Sequence, residues 1–145
     1  MILTPHFTLE ELTHSLVAGR KNIDNTPSDR VIGNLLELAK GLERVRNILA
    51  VPMSVSSGFR CIELNRAIGS HDTSAHIEGW AADFIAPLFG KPIDIVRAIE
   101  SSAIGFDQCI QEGTWVHISF DPRNRREVLT AHFDAAGTAT YTKGV

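Results

Sequence analysis

Several classes of protein are excluded by what this sequence holds little or none of. Its 145 residues include two cysteines, Cys61 and Cys109. They are not in a metal-type spacing, and a chain of this length buries a core without staples, so both are expected to be free thiols rather than a disulfide. Positive charge is not in excess. The net charge of −3 denies the chain the basic surface that neutralises phosphates, and no nucleic-acid partner is expected. No apolar run is long enough to span a bilayer, so no membrane insertion is expected either. Met1 to His6 lacks the basic segment followed by an apolar one that marks a secretory signal. The expectation is a protein made in the cytoplasm that acts outside it only after release. Repeats and low-complexity tracts are missing too. The remaining composition, 43% apolar and 21% charged, is that of an ordinary globular protein, and residues 1–145 are expected to form a single domain, taken as a monomer.

Local patterns give the elements. Thr8-Leu9-Glu10-Glu11 has the form of a capping box and predicts a short helix from Leu9 to about Val17. After a polar stretch from Gly19 to Pro27, Ser28 caps a long helix. Its apolar stripe runs through Val31, Ile32, Leu35, Leu38, Ala39, Leu42, Val45, Ile48 and Leu49 at helical spacing. Gly41 costs that helix roughly 1 kcal/mol relative to alanine, which suggests close packing there. Pro52 ends it. A strand follows over Met53–Ser57, then a short helix from Cys61 to Ile68, a strand over Trp80–Ile85, and an amphipathic helix from Pro92 that turns Ile93, Val96, Ile99 and Ile104 inwards. Phe106–Glu112 and Trp115–Phe120 form a hairpin about Gly113-Thr114. Val128–Phe133 and Thr140–Thr142 form a second about Gly137. Helices first and local hairpins after predict an α+β fold with an antiparallel sheet, packed against the long helix and the second amphipathic one.

The chemistry is concentrated in His76, Asp83 and His117. Two imidazoles and a carboxylate are a ligand set for a catalytic divalent metal, zinc above all, which commonly keeps three protein ligands and leaves one position to water. His76 and Asp83 are not helix-spaced, and Asp83 sits among Trp80, Ala81, Ala82 and Phe84. A carboxylate in an apolar strand needs a partner that offsets its desolvation, and a metal or a buried salt bridge would serve. His6, His14 and His132 read as ordinary hydrogen-bonded side chains. Arg60, at the exit of a strand, offers a planar fork of donors suited to a carboxylate, unless it is simply a surface residue. Arg123, Arg125 and Arg126 read as a solvated turn.

Strand geometry brings in Glu112. With a two-residue loop at Gly113-Thr114, Glu112 lies opposite Trp115 and Ile110 opposite His117. Gln108, Ile110, Glu112, Trp115, His117 and Ser119 then share one face, and Cys109, Val116, Ile118 and Phe120 line the other, apolar one. Glu112 is thereby expected to be the general base, with Glu78 or His71 next in order. A three-residue loop would instead take Glu112 out of the ladder.

The run Ser-x-His-x-x-Gly-x-Ala-x-Asp at Ser74 to Asp83, with Ser-Gly-Phe-Arg at Ser57 to Arg60 before it and Trp-Val-His-Ile-Ser at Trp115 to Ser119 after it, resembles the zinc D-Ala-D-Ala peptidase family. That family includes peptidoglycan carboxypeptidases, dipeptidases of vancomycin resistance and phage endolysins, and shares its fold with the hedgehog signalling domain. The resemblance implies that His76, Asp83 and His117 bind Zn²⁺, that Arg60 meets a substrate carboxylate or carbonyl, and that Ser74 lines the same cleft. His71 can be a fourth ligand or part of the cleft wall, and the motif does not require it. In several branches a glutamate stands three residues before the last histidine, where this chain has Thr114; Glu112 is the nearest acid. The expected function is hydrolysis of peptidoglycan stem peptides, as a carboxypeptidase or an endolysin-type endopeptidase of the small phage-like branch, free or in a virion. The rivals are a non-catalytic wall-binding or virion module on the same fold and a cytoplasmic D-Ala-D-Ala dipeptidase.

Overall fold

In the computed structural model, which describes residues 1–145, the chain opens with a small hairpin of β1 (Ile2–Thr4) and β2 (Phe7–Thr8). Helix α1 (Leu9–Thr13) follows, and the Thr8 hydroxyl accepts from the Glu11 amide at 3.1 Å as the capping pattern predicts. The single helix expected as far as Val17 is in fact two. The Thr13 carbonyl is taken by the Asn25 side chain at 2.9 Å, which removes it from any continuing helix. Ser15 then caps α2 (Leu16–Lys21) by accepting from Ala18. A polar cap residue competing with the helix interior is the physical reason for the break.

Ser28 caps α3 (Asp29–Leu49), whose buried face is the predicted stripe except that Ile32 and Ile48, at its margins, are half-buried. A left-handed Ala50 closes the helix two residues before Pro52. Gly41 faces the Phe120 ring so closely that a Cβ there would lie 2.7 Å from it, so the missing side chain is a packing requirement. Next come β3 (Ser54–Ser57), α4 (Ile62–Ala67), β4 (Ala81–Ile85) and α5 (Pro92–Ser101). In α5 the buried residues are Ile95, Val96 and Ile99; Ile93 is only half-buried, so the inward face is shifted from the one expected. Two hairpins complete the chain, β5 (Gln108–Gln111) with β6 (Val116–Ser119) and β7 (Glu127–Phe133) with β8 (Ala139–Lys143).

The six strands form one sheet in the order β3-β4-β6-β5-β7-β8. One face, with Ala82, Phe84, Cys109, Val116 and Ile118, packs on α3 and α5 to make the core. The other is open to solvent and carries the site. Both cysteines are free, Cys109 in the core and Cys61 with its sulfur capping α4. No helix is long and apolar enough to cross a membrane.

The expected antiparallel sheet is mixed, because β5 and β7 pair in parallel. The chain leaving β6 passes round the start of β5, and Asp107 is the post it turns on. Asp107 is fully buried. Its carboxylate accepts from the Arg125 amide at 3.1 Å, and from Nε and Nη2 of the same residue at 2.8 and 2.9 Å. Its carbonyl accepts from the Glu127 amide. Arg126 donates to the Ile104 and Ser102 carbonyls and lies over the Phe106 ring, while Arg123 pairs with Asp121. The arginine cluster is therefore a clamp on this crossover and not the solvated turn expected from its composition.

Two results should follow from that clamp. Asp107→Ala leaves three donors without an acceptor, but the guanidinia are partly in water, so the loss should be about 1–3 kcal/mol in urea unfolding. Hydrogen bonds from Arg125 hold the Asp107 carboxyl below its usual pKa. A depressed carboxyl contributes stability that is complete above the unfolded value, near 4, and is lost as pH falls through the folded one. The urea midpoints of the parent and Asp107→Asn should therefore differ at pH 7 and converge below about pH 4; a gap that persists in acid would contradict the clamp.

Candidate metal centre

The centre begins with a register. β4 and β6 pair so that Asp83 lies directly opposite His117, with Ala82 and Phe84 on one strand and Val116 and Ile118 on the other turned to the core. Residues so opposed have Cβ atoms roughly 5 Å apart, and His117 Nδ1 comes within 3.0 Å of Asp83 Oδ1. The third member arrives from the turns between α4 and β4. His76, almost fully buried, places Nε2 3.3 Å from the same Asp83 oxygen. The three ligand atoms all lie within 4.8 Å of one another, and the two imidazole rings meet edge-on at 5.1 Å.

Two glycines bring His76 here. Gly79 has φ +77, and a Cβ on it would press on Val31 and Leu35 of α3, so an L side chain there would be both strained and crowded. Gly58 lies against α1, where a Cβ would come 2.3 Å from the Leu12 carbonyl oxygen. The Gly58 carbonyl in turn accepts from His76 Nδ1 at 2.7 Å. That bond puts the proton on Nδ1 and leaves the Nε2 lone pair aimed at Asp83. Ser74 supports the turn, its hydroxyl accepting from the His76 amide at 3.2 Å.

The electrostatics favour a cation. Burial holds the His76 imidazole below its ordinary pKa in spite of Asp83 beside it. Burial also works against the charge of Asp83, but the two histidines more than offset it, and its carboxyl is held well below the usual range. With Nδ1 donating to the Gly58 carbonyl, the His76 Nε2 lone pair and an Asp83 carboxylate oxygen face each other at 3.3 Å as two acceptors. A divalent cation bound by both resolves that conflict, and the N,N,O donor set suits zinc.

Around the cluster opens a cleft of about 800 Å³. The cleft face predicted for the β5–β6 hairpin is the observed one. Ile110 pairs with His117, the Glu112 amide donates to the Trp115 carbonyl at 3.0 Å, and Gln108, Ile110, Glu112, Trp115 and His117 line the cavity. Ser119 is fully buried instead, its hydroxyl accepting from the Gln108 amide. Burial raises the Glu112 pKa, opposed by His117 and reinforced by Asp83.

Arg60 is no surface residue. Nε donates to Asn65 Oδ1 at 3.1 Å, while its terminal nitrogens reach the Ser57 and Ser74 hydroxyls only at 3.4 and 3.5 Å, so the stem is fixed and the fork is loosely held. Burial lowers its pKa, which Asp83 and Glu112 counter; a guanidinium stays charged regardless. His71 lines the cleft but lies outside the three-residue cluster. Glu78, held in reserve as a base, pairs with Arg30 of α3 and lies outside the cleft lining. His6 and His132 are hydrogen-bonded to Glu43 and Thr142, as expected of structural histidines.

One residue of the site went unrecognised in the sequence. Asn65 is fully buried in α4 and holds both Arg60 Nε and, through its amide, the His71 carbonyl at 2.8 Å. A polar residue in a short helix carries no sequence signal of burial, and only a mismatch with the apolar face of α4 could have pointed to it.

A family model described as Peptidase M15 matches residues 5–119, a span from the N-terminal hairpin to the end of β6 that contains Arg60, Ser74, His76, Asp83, Glu112 and His117. No curated protein matches the chain.

The geometry predicts the outcome of metal loading. Metal-stripped protein given zinc should bind about one ion per chain by elemental analysis. His76→Ala and His117→Ala should each lose it, and Arg60→Ala should retain it. Occupancy below about one-tenth in the parent would contradict the ligand set, because a preorganised site fills.

Proposed function

The chain belongs to the zinc-dependent Peptidase M15 family, a metallopeptidase, and on that premise we propose that residues 1–145 act as one catalytic unit hydrolysing peptide bonds in peptidoglycan stem peptides. The observation that carries this reading is the joint placement of the His76–Asp83–His117 cluster, Glu112 and Arg60 on the walls of one cleft.

His76, Asp83 and His117 would hold the zinc, which when bound would supply Lewis acidity for a carbonyl and lower the pKa of water. The chain's own residues do the rest. A Glu112 carboxylate oxygen takes the proton from the attacking water and passes it to the nitrogen of the departing amine. Its raised pKa brings it closer to the range in which a group can both accept and return a proton. The Arg60 fork, anchored through Nε on Asn65, binds a carboxylate or carbonyl of the substrate and orients the bond to be cut. Ser74 supports the His76 turn through its hydroxyl and stands beside the loosely held Arg60 fork. A terminal carboxylate on Arg60 would make the reaction that of a carboxypeptidase; a flanking peptide carbonyl there would make it an endopeptidase of the endolysin type.

Incubating the zinc-loaded protein with purified peptidoglycan and identifying the released fragments by mass tests the proposal and names the bond. A loaded protein that binds the wall and releases nothing would mark a non-catalytic module. One that cuts only the free D-Ala-D-Ala dipeptide would mark a cytoplasmic dipeptidase. Glu112→Gln should keep the fold and the zinc while lowering turnover by about a hundredfold or more; parental turnover would remove Glu112 from the role of base. Arg60→Ala should weaken turnover with zinc still in place, and Arg60→Lys should restore it only in part, since the charge returns without the fork.

A further inference from the structure

The cleft extends further than the metal centre itself requires. Beyond β5 the sheet continues into β7 and β8. The pairings Ile110 with Leu129, Ala131 with Tyr141 and Phe133 with Ala139 set Leu129, Phe133 and Tyr141 on the same side of the sheet as Glu112 and His117, since opposed and alternate residues share a face. These three side chains line the cleft. Phe133 and Tyr141 are nonetheless 47% and 51% exposed, large apolar surface next to a catalytic centre. Phe133 is tilted against Trp115 with ring centroids 6.1 Å apart, so it stands as part of a packed wall. The Trp115 indole N–H beside it is enclosed and has no acceptor within the chain. The Tyr141 hydroxyl is kept protonated, its pKa raised by burial and by the charges of Glu112 and Asp83, and so remains a donor facing the site. Phe133 and Tyr141 lie beyond the family match, which ends at residue 119.

We propose that Phe133 and Tyr141 form a specificity wall for an extended peptide, so that the preferred substrate runs from the metal centre across β5 and β7 and is longer than a dipeptide. The proposal rests on reading the centre as a peptidase. Length decides between the substrates. His117 on β6 and Tyr141 on β8 are three strand spacings apart, roughly 14 Å. A dipeptide at full extension covers roughly 7 Å, whereas four or five residues cover roughly 13–18 Å. The wall offers ring faces rather than charges, which suits the methyl groups and methylene stems of a peptide. Binding energy gained at this distance from the scissile bond is available to orient that bond, so it counts in turnover as well as in affinity.

The test is a calorimetric titration of zinc-loaded, full-length protein in the Glu112→Gln background with two probes, a sugar-free stem pentapeptide and the D-Ala-D-Ala dipeptide. The double variant Phe133→Ala/Tyr141→Ala should bind the pentapeptide about tenfold or more weakly and the dipeptide as before, since two ring contacts together amount to roughly one decade of affinity. Tyr141→Ser, a half-exposed position on the edge strand, gives the same comparison in a variant whose folding is under little threat. Unchanged pentapeptide binding, an equal loss for both probes, or a parent that holds the pentapeptide no more tightly than the dipeptide would each overturn the wall. Digestion of purified peptidoglycan by the parent is scored separately. A protein that binds the pentapeptide through the wall but releases no fragments sinks the peptidase reading alone, and one that cuts the wall polymer while the variants bind as the parent does sinks the wall alone.

Discussion

A carboxylate in the apolar middle of a sheet is the constraint on which the rest of this structure depends. Moving such an ion from water to a dry interior costs on the order of 20 kcal/mol in the ideal limit, and several kcal/mol remain after relaxation. Asp83 meets that cost with two imidazoles and no lysine or arginine in direct contact. The nearest guanidinium, Arg60, is tied by Nε to Asn65. The histidines offset the carboxylate to the extent that they carry charge, and burial works against that charge at His76. The arrangement is poorly resolved as a salt bridge and well resolved as a cation site, which is why its buried charge is better explained by the zinc of the family than by stability.

The second layer of contacts exists to aim the first. The Gly58 carbonyl fixes which nitrogen of His76 carries the proton, and it can do so only because the absence of a Cβ lets the strand exit press against α1. Gly79 lets the incoming turn lie flat on α3. Asn65 ties the arginine to the loop that carries His71 and Ser74. Two of the three act through backbone and the third, Asn65, is a fully buried side chain bonded at both ends of its amide, as close positioning demands.

What could be read from the sequence follows from how local the signal was. The α3 stripe and the hairpin at Gly113-Thr114 are set by periodicity and loop length over a few residues, so the pairing of Ile110 with His117 and the cleft face of Glu112 emerged from counting alone. The three-residue cluster was legible because a carboxylate among alanines, tryptophan and phenylalanine has few physical excuses, and because the motifs around it resemble one family. Elements decided by distant partners were not legible. The break between α1 and α2 is made by Asn25, twelve residues beyond the carbonyl it takes. The arginines at 123–126 look like a wet turn until Asp107 is seen beneath them. Asn65 belongs to the site through contacts no spacing rule encodes.

The parallel pairing of β5 with β7 ties these observations together. Both sides of β6 are taken, by β4 and β5, so the strand that follows β6 cannot pair beside it as in a plain meander. Asp107 holds the crossover at the start of β5 instead, so that β7 begins at Glu127 beside Gln108 and runs alongside β5. That register sets Leu129 beside Ile110, and two residues on along the same face it brings Ala131 and its partner Tyr141 level with the end of β5, where Glu112 stands. A shift of one residue would turn Phe133 and Tyr141 to the opposite face and leave threonines and His132 towards the cleft. The buried Asp107 is thus remote from the chemistry yet decides which side chains the open end of the cleft presents, and a crossover clamp of this kind is how a stability feature comes to set the shape of a substrate site.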